Sequence, residues 1–189
     1  MHLILASSSP RRQDLLRDAG FYFESEAPCI DEWDSSSHPD MSAIDLAQAN
    51  ARRKAEEVGK RHDQSIVLAA DTIVYCEGQI LGKPVDLVEA RTMLSLLSGK
   101  THEVITAVCW LDTRKKTLKE HVARTWVTFR QLSSQAIDAY LEKVHVLDKA
   151  GSYAAQERGE EIIERMEGSR TNVIGLPMEI VSEWWDGIG

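Results

Sequence analysis

The sequence predicts an α/β or α+β protein in which helices pack on a mixed β-sheet. Three observations support this fold class. An apolar, strand-like run at residues 3–6 leads through a turn into a helix, a hairpin follows Asp71, and two long strand-like segments over 104–111 and 122–129 are adjacent in the chain. Alternating strands and helices favour a sheet covered by helices, whereas a hairpin joins antiparallel neighbours. The sequence therefore disfavours a purely parallel sheet.

The first predicted helix follows the strand at residues 3–6 and carries signals at both ends. Ser9 suits the N-cap, Pro10 suits the first helical position, and Gly20 suits the C-terminal cap. Its apolar residues recur at helical spacing: Leu15, Leu16 and Ala19. A second, longer helix is predicted to end at Gly59. Its apolar stripe consists of Ile44, Ala47, Ala51, Ala55 and Val58.

The rest of the chain continues to mix strands and helices. Apolar or alternating runs predict strands over 65–70, 73–76, 79–81, 104–111, 122–129 and 162–166. Helical spacing predicts further helices between Asp86 and Gly99, over 134–144, and from Pro177 to Trp185. No segment between these elements resembles a flexible linker, so we expect a single domain over residues 1–189.

Charge and composition exclude several classes of protein. The formal net charge of -8 argues against a nucleic-acid polymer as partner, because such binding relies on a basic surface. The N-terminal apolar run is too short for a signal peptide or a membrane span, so we expect a cytoplasmic protein without a membrane partner. Cys29, Cys76 and Cys109 form no Cys-x-x-Cys pair and are expected to be buried, reduced thiols.

The turn from Ser7 to Arg12 is a candidate anion site. Arg11 and Arg12 occupy the first turn of a helix, where the helix dipole favours acidic residues. A bound phosphate would resolve this conflict, because backbone N–H groups, serine hydroxyls and guanidinium groups can all contact its oxygens. The alternative is that both arginines face solvent or pair with Glu24, Glu26 or Asp31.

A second candidate site lies where the buried run over residues 65–70 meets Asp71. Open sheets commonly place functional groups at the ends of strands, and this carboxylate could hold a divalent cation or activate a water molecule. Thr72 adds a hydroxyl group beside it. The alternative is an aspartate that only caps a turn. Glu32 and Asp31 could complete a carboxylate metal site, or the loop that carries them is simply solvated.

Two lysines could contact a polyphosphate. Lys54 lies at the margin of the apolar stripe of the second helix, and Lys83 lies in the tight turn at residues 81–84. Considered singly, each fits an ordinary surface lysine whose aliphatic stem covers apolar neighbours. The choice between these two interpretations stays open at this level.

Five separated blocks, in the same order, resemble the Maf family of nucleotide pyrophosphatases. The blocks are LILASSSPRR at residues 3–12, ADTIV at 70–74, GKP at 82–84, LSGKTH at 97–102 and DKAGSY at 148–153, and GLP at 175–177 also matches. The resemblance implies a mixed twisted sheet with flanking helices, built as two lobes around a central substrate cleft. It also implies a homodimer.

The resemblance further assigns roles to individual residues. It implies that Asp71 is the catalytic proton acceptor and that Glu32 assists Asp71 at a divalent metal, Mg or Mn. The residues implied to contact the triphosphate are Ser7, Arg11, Arg12, Lys54 and Lys83.

Three positions resemble the branch of the family that acts on dTTP and UTP: Arg12, Thr72 and Gln156. The resemblance therefore implies hydrolysis of dTTP and UTP, or of modified pyrimidine nucleotides, to the nucleoside monophosphate and pyrophosphate. Two alternatives stay open. One is a house-cleaning pyrophosphatase for other modified nucleotides such as 7-methyl-GTP, and the other is a non-catalytic nucleotide-binding regulator of cell division.

Overall fold

The computed structural model describes residues 2–187. Its strands are β1 (His2–Leu5), β2 (Glu24–Ser25), β3 (Ser65–Cys76), β4 (Gln79–Leu81), β5 (Thr101–Asp112), β6 (Thr117–Phe129) and β7 (Ile163–Glu167). Its α-helices are α1 (Pro10–Asp18), α2 (Ala43–Gly59), α3 (Leu87–Leu97), α4 (Ser134–Leu141), α5 (Gly159–Ile162), α6 (Arg170–Ile174) and α7 (Met178–Asp186). Within the described chain, none of the helices combines the length and apolarity that a bilayer crossing requires.

The strands form one sheet in the order β2-β1-β3-β5-β6-β7, with β4 paired to β3. β1 runs parallel to β2 and to β3, so that Ile4 lies opposite both Glu24 and Val67. The β3–β4 and β6–β7 pairs are antiparallel. The predicted mixed sheet with flanking helices is therefore confirmed.

The structure differs from the predicted elements mainly at their ends. β6 begins at Thr117 rather than at 122. The prediction missed its first residues because they are exposed or half-buried and lack an apolar run. α4 ends at Leu141 rather than at 144, with Glu142 as its C-cap. β2, α5 and α6 have only two to five residues, too few for a periodic pattern, and were not predicted.

The described chain divides into two compact units. The first contains the residues up to Thr72, Thr106–Ala123 and those from Gly175, and the second contains Ile73–Ile105 and Arg124–Ile174. Each unit has its own hydrophobic core. The first core includes Leu3, Leu5, Leu16, Leu68, Trp110 and Leu176, and the second includes Leu94, Leu97, Val127, Phe129, Tyr140 and Tyr153. The single domain and the substrate cleft between two lobes stay predictions.

The three cysteines are free thiols. Cys76 and Cys109 are buried, as expected, and burial raises the pKa of the Cys109 thiol to about 12. The expectation of burial is wrong for Cys29, which is exposed. It lies in the irregular segment between β2 and α2, and its backbone N–H donates to Glu57 of α2.

Candidate active site

Ser7 organises the turn between β1 and α1. Its side chain is buried, and its Oγ accepts hydrogen bonds from the Ser9 backbone N–H at 3.1 Å and from Arg12 Nη1 at 3.3 Å. Ser9 is the N-cap of α1, as predicted, but its own side chain makes no capping hydrogen bond. The hydroxyl of Ser7 therefore fixes the start of the helix and one edge of the Arg12 guanidinium.

Arg12 is held by three parts of the first unit. Besides the bond to Ser7, its Nε donates to the Gly175 carbonyl at 2.8 Å and its Nη2 donates to Thr72 Oγ1 at 3.1 Å. Thr72 Oγ1 lies in turn 2.9 Å from Thr106 Oγ1. These bonds use three of the five guanidinium N–H donors. The alternative of a solvent-facing or acid-paired arginine is therefore wrong for Arg12. Arg11 is half-buried, and its role stays a prediction.

Gly175 is a site residue that the sequence reasoning recognised only as part of the GLP match. It has a φ of +124°, a conformation that side chains rarely adopt. A Cβ atom there would lie 3.4 Å from Thr72 Oγ1 and 3.5 Å from Arg12 Nε. Glycine therefore lets the backbone carbonyl approach the guanidinium closely.

The charge of Arg12 is coupled to two acidic residues. Burial lowers the pKa of its guanidinium, while the negative charges of Asp71 and Glu32 act in the opposite direction. Arg11 lowers the pKa slightly further, because it is a like charge nearby. The turn from Ser7 to Arg12 and the two carboxylates are thus electrostatically coupled within the first unit.

Asp71 and Glu32 meet at the ammonium group of Lys54. The Nζ atom of Lys54 lies 2.6 Å from Asp71 Oδ1 and 2.9 Å from Glu32 Oε1. Lys54 is 4% exposed and Asp71 is 6% exposed, whereas the Glu32 side chain is 43% exposed. The surface interpretation of Lys54 is therefore wrong, because this lysine is buried and ion-paired.

The position of Asp71 in its strand also differs from the prediction. β3 continues beyond it to Cys76, since Ile73 and Val74 are buried again and the chain stays extended. Asp71 consequently projects from the middle of a strand, and its ion pair with Lys54 replaces the alternative of a turn-capping aspartate.

Asn50 was missed by the sequence reasoning. Its Oδ1 accepts the Trp33 backbone N–H at 2.8 Å, and its Nδ2 donates to the Trp33 carbonyl at 2.8 Å and to Asp71 Oδ2 at 3.4 Å. Asn50 precedes Lys54 by four residues in α2, so that both lie on the same face of the helix. A signal was present, because Asn50 and Lys54 interrupt the apolar stripe of α2 at helical spacing.

The loop that carries Glu32 is further attached to α2 by Arg53. Its Nη1 donates to the Asp31 carbonyl at 2.8 Å, and its guanidinium lies 4.5 Å from the ring centre of Trp33. His38 stacks on the same indole with ring centres 4.0 Å apart. Asp31 thus contacts α2 through its backbone, while Glu32 directs its carboxylate to Lys54.

Lys83 and Gln156 belong to the second unit. Both are exposed, Lys83 between β4 and α3 and Gln156 after the short 3₁₀ turn at Ala150–Ser152. Their roles in substrate binding and specificity stay predictions.

The carboxylates of Asp71 and Glu32 are oxygen donors of the kind that a magnesium-type cation prefers. The described residues contain no group of three or more His, Cys, Asp or Glu side chains arranged to hold a metal ion. Asp71 and Glu32 nevertheless both contact the Nζ atom of Lys54, so one small cation could reach both carboxylates. Magnesium commonly takes one or two carboxylates and completes its shell with substrate phosphates and water.

The chain is similar to proteins of one known family along almost its whole length. Among solved structures, a HAM1 protein from Coxiella burnetii has a TM-score of 0.42 and 18% identity, covering 67% of this chain and 70% of its own. A protein of Akkermansia muciniphila named dTTP/UTP pyrophosphatase is 46% identical over 187 residues, which cover 99% of this chain and 96% of the relative. A protein of the same name from Syntrophomonas wolfei is 44% identical, covering 94% and 92%. Because the family model described as Maf-like protein also matches residues 2–186, the chain belongs to the Maf family.

Proposed function

We propose that this protein hydrolyses dTTP and UTP to the nucleoside monophosphate and pyrophosphate, in a metal-dependent reaction with Asp71 as general base. The observation that carries the proposal is the buried Asp71 carboxylate, which lies between Lys54 and Asn50. The names of the relatives, at 41–46% identity, support the choice of substrate and reaction.

The charges of the first unit suit a triphosphate, which carries about four negative charges near pH 7. Arg11, Arg12 and Lys54 supply positive charge, and the Ser7 turn supplies backbone N–H donors at the start of α1. Glu32 and Asp71 would hold a magnesium or manganese ion, which would add positive charge at the phosphate oxygens when bound.

Asp71 is the candidate to accept the proton of the attacking water. Without metal, its Oδ1 pairs with Lys54 and its Oδ2 receives the weak hydrogen bond from Asn50, so neighbouring side chains orient the carboxylate. Water attacks the α-phosphorus and forms a new P–O bond, its proton passes to Asp71, and the bond to the oxygen that bridges to the β-phosphorus breaks. Pyrophosphate leaves, which agrees with the pyrophosphatase names of the relatives.

Arg12 and Thr72 are candidates for base selection together with Gln156. The direct hydrogen bond between the first two supports a joint role, because a change in one side chain releases the other. A cytoplasmic location and a homodimeric state stay predictions of the sequence.

The test is a panel of nucleotides. Purified protein is incubated with dTTP, UTP, CTP, GTP, ATP and 7-methyl-GTP in the presence of Mg²⁺, Mn²⁺ or EDTA, and pyrophosphate and orthophosphate are measured separately. We expect dTTP and UTP to have kcat/KM values at least about tenfold above those of GTP and ATP. We also expect pyrophosphate as product and no turnover in EDTA.

Other outcomes of the panel would contradict specific parts of the proposal. Equal turnover of all nucleotides would remove the pyrimidine preference, and orthophosphate as product would move the attack to the γ-phosphorus. If the protein bound a nucleotide but hydrolysed none of them, a non-catalytic regulator would be favoured.

A further inference from the structure

The ammonium group of Lys54 occupies the position between two carboxylates. Its Nζ lies within 2.9 Å of an oxygen of Asp71 and of Glu32, and its side chain is almost fully buried. Lys54 also belongs to the residues proposed to contact the triphosphate. Its three N–H donors could serve both carboxylates and one phosphate oxygen, so the ammonium competes directly only with a metal ion that uses the same carboxylate oxygens.

Charge balance decides whether Lys54 or a metal ion pairs with the carboxylates. A buried ionised group needs a partner, and in a metal-free protein Lys54 is the cation in direct contact with Asp71. A divalent cation would use the same carboxylate oxygens and would repel the ammonium, since like charges a few ångströms apart interact strongly away from bulk water. The ammonium and the metal therefore compete for one place.

We propose that Lys54 and the divalent cation exchange at Asp71 and Glu32. Without metal, the ammonium group holds the two carboxylates together. When the metal binds, Lys54 leaves them and its flexible four-carbon stem carries the ammonium to the polyphosphate, while its backbone stays fixed in α2. This inference rests on the proposed function, because that function supplies the metal and the phosphate.

The test measures Mn²⁺ binding in the absence of nucleotide, by calorimetric titration at pH 8. Lys54→Met removes the competing charge and keeps an unbranched side chain of similar length, so we expect its Mn²⁺ affinity to rise at least about tenfold over the wild type. Lys54→Arg keeps the charge and should stay close to the wild type. Lys60→Met, at an exposed position beyond α2, is the matched control and should not change the affinity.

A further variant locates the effect at the two carboxylates. Adding Glu32→Gln to Lys54→Met should reverse the gain in Mn²⁺ affinity, because one proposed metal ligand is lost. An unchanged or weaker affinity in Lys54→Met, or no detectable Mn²⁺ binding in either protein, would overturn the exchange. The result is independent of turnover, so a failure to hydrolyse dTTP would contradict the proposed function and leave this comparison intact.

Thermal unfolding with and without Mn²⁺ provides a second measurement, and it also shows whether each variant is folded. At a given concentration, a ligand that binds the folded state more tightly stabilises it more, so Mn²⁺ should raise the Tm of Lys54→Met more than that of the wild type. Lys54→Gln, which can still donate hydrogen bonds to a carboxylate, replaces Lys54→Met if the latter does not fold. An equal Mn²⁺-induced shift in wild type and neutral variant would contradict the competition.

Discussion

The side-chain amide of Asn50 bonds both polar groups of the Trp33 backbone. It accepts the N–H at 2.8 Å and donates to the carbonyl at 2.8 Å, and its Nδ2 also points to Asp71 at 3.4 Å. Because Glu32 directly precedes Trp33, this contact fixes the loop that presents the second carboxylate to Lys54. One buried side chain of α2 therefore links the loop with the strand that carries the candidate base.

Asn50→Ala should weaken both the fold and the activity. The loss of these hydrogen bonds should cost about 1–3 kcal/mol of unfolding free energy, and kcat/KM for dTTP should fall at least about tenfold as Glu32 loses its position. Urea unfolding and steady-state kinetics measure the two effects. Glu56→Ala, an exposed change in the same helix, should alter neither.

A double variant that combines Asn50→Ala with Glu32→Gln tests whether Asn50 acts by positioning Glu32. If it does, the double variant should lose little more activity than Glu32→Gln alone, because the effects of mutations at coupled positions are not additive. Fully additive losses in kcat/KM would contradict this route.

Asp71→Asn should nearly abolish turnover while the protein still folds. The amide keeps the size of the side chain but cannot accept the proton of water, so kcat should fall by a factor of about 10² or more. Rapid-quench kinetics and equilibrium binding of dTTP separate chemistry from binding, and binding should largely remain. Asp63→Asn, at an exposed position before β3, is the control. Wild-type turnover in Asp71→Asn would remove Asp71 from its proposed role.

Thr72→Val should reduce the preference for dTTP and UTP. Valine has the shape of threonine but lacks the hydroxyl that accepts from Arg12 Nη2, and a hydrogen bond to a charged group is worth about 1.5–3 kcal/mol. We expect kcat/KM for dTTP to fall about tenfold, with a smaller change for GTP. Thr117→Val, at the exposed start of β6, should have no effect.

The partner variant Arg12→Lys completes a double-mutant cycle. Lysine cannot reproduce the planar fork that bonds Gly175, Ser7 and Thr72, so it should cost at least as much as Thr72→Val. If the two side chains act as a pair, the double variant should be no worse than Arg12→Lys. Additive losses of kcat/KM in the double variant would mean that Thr72 acts independently of Arg12.

His102 should make the stability of the second unit depend on pH. Its ring is buried, with Nε2 bonded to Tyr153 Oη at 2.8 Å and with no described partner for Nδ1. Burial lowers the pKa of His102 from 6.5 to about 4. The unfolded chain therefore binds a proton between these two pH values that the folded chain does not, and the free energy of unfolding falls as the pH decreases from 6.5 to 4.

The measurement compares urea unfolding of wild type and His102→Gln at pH 7.5 and pH 4.5. The wild type should lose about 2–3 kcal/mol more than the variant over this range, since each unit of pKa shift corresponds to about 1.4 kcal/mol. His145→Gln, at an exposed position, should behave like the wild type. An identical pH dependence in wild type and His102→Gln would show that His102 does not cause it.

Local signals predicted much of the fold. The Ser9, Pro10 and Gly20 signals bounded α1 closely, and the turn after Cys76 gave the hairpin. The prediction missed the start of β6, because its exposed residues carry little periodic signal. It placed the end of α4 too late, because the buried Val144 continues the apolar helical spacing after the helix has ended. Short elements such as β2 depend on a neighbouring strand for their hydrogen bonds, and this partner is not visible locally.

By itself, the sequence determined the mixed α/β class and the Ser7–Arg12 turn, and it singled out Asp71 as a candidate site residue. Only the tertiary structure decided that Lys54 is buried between two carboxylates, that Asn50 holds the adjacent loop, and that the Gly175 carbonyl binds Arg12. The physical reason is the sequence distance of these contacts. Asp71 lies 17 residues from Lys54 and Gly175 lies 163 residues from Arg12, so packing rather than local propensity brings them together.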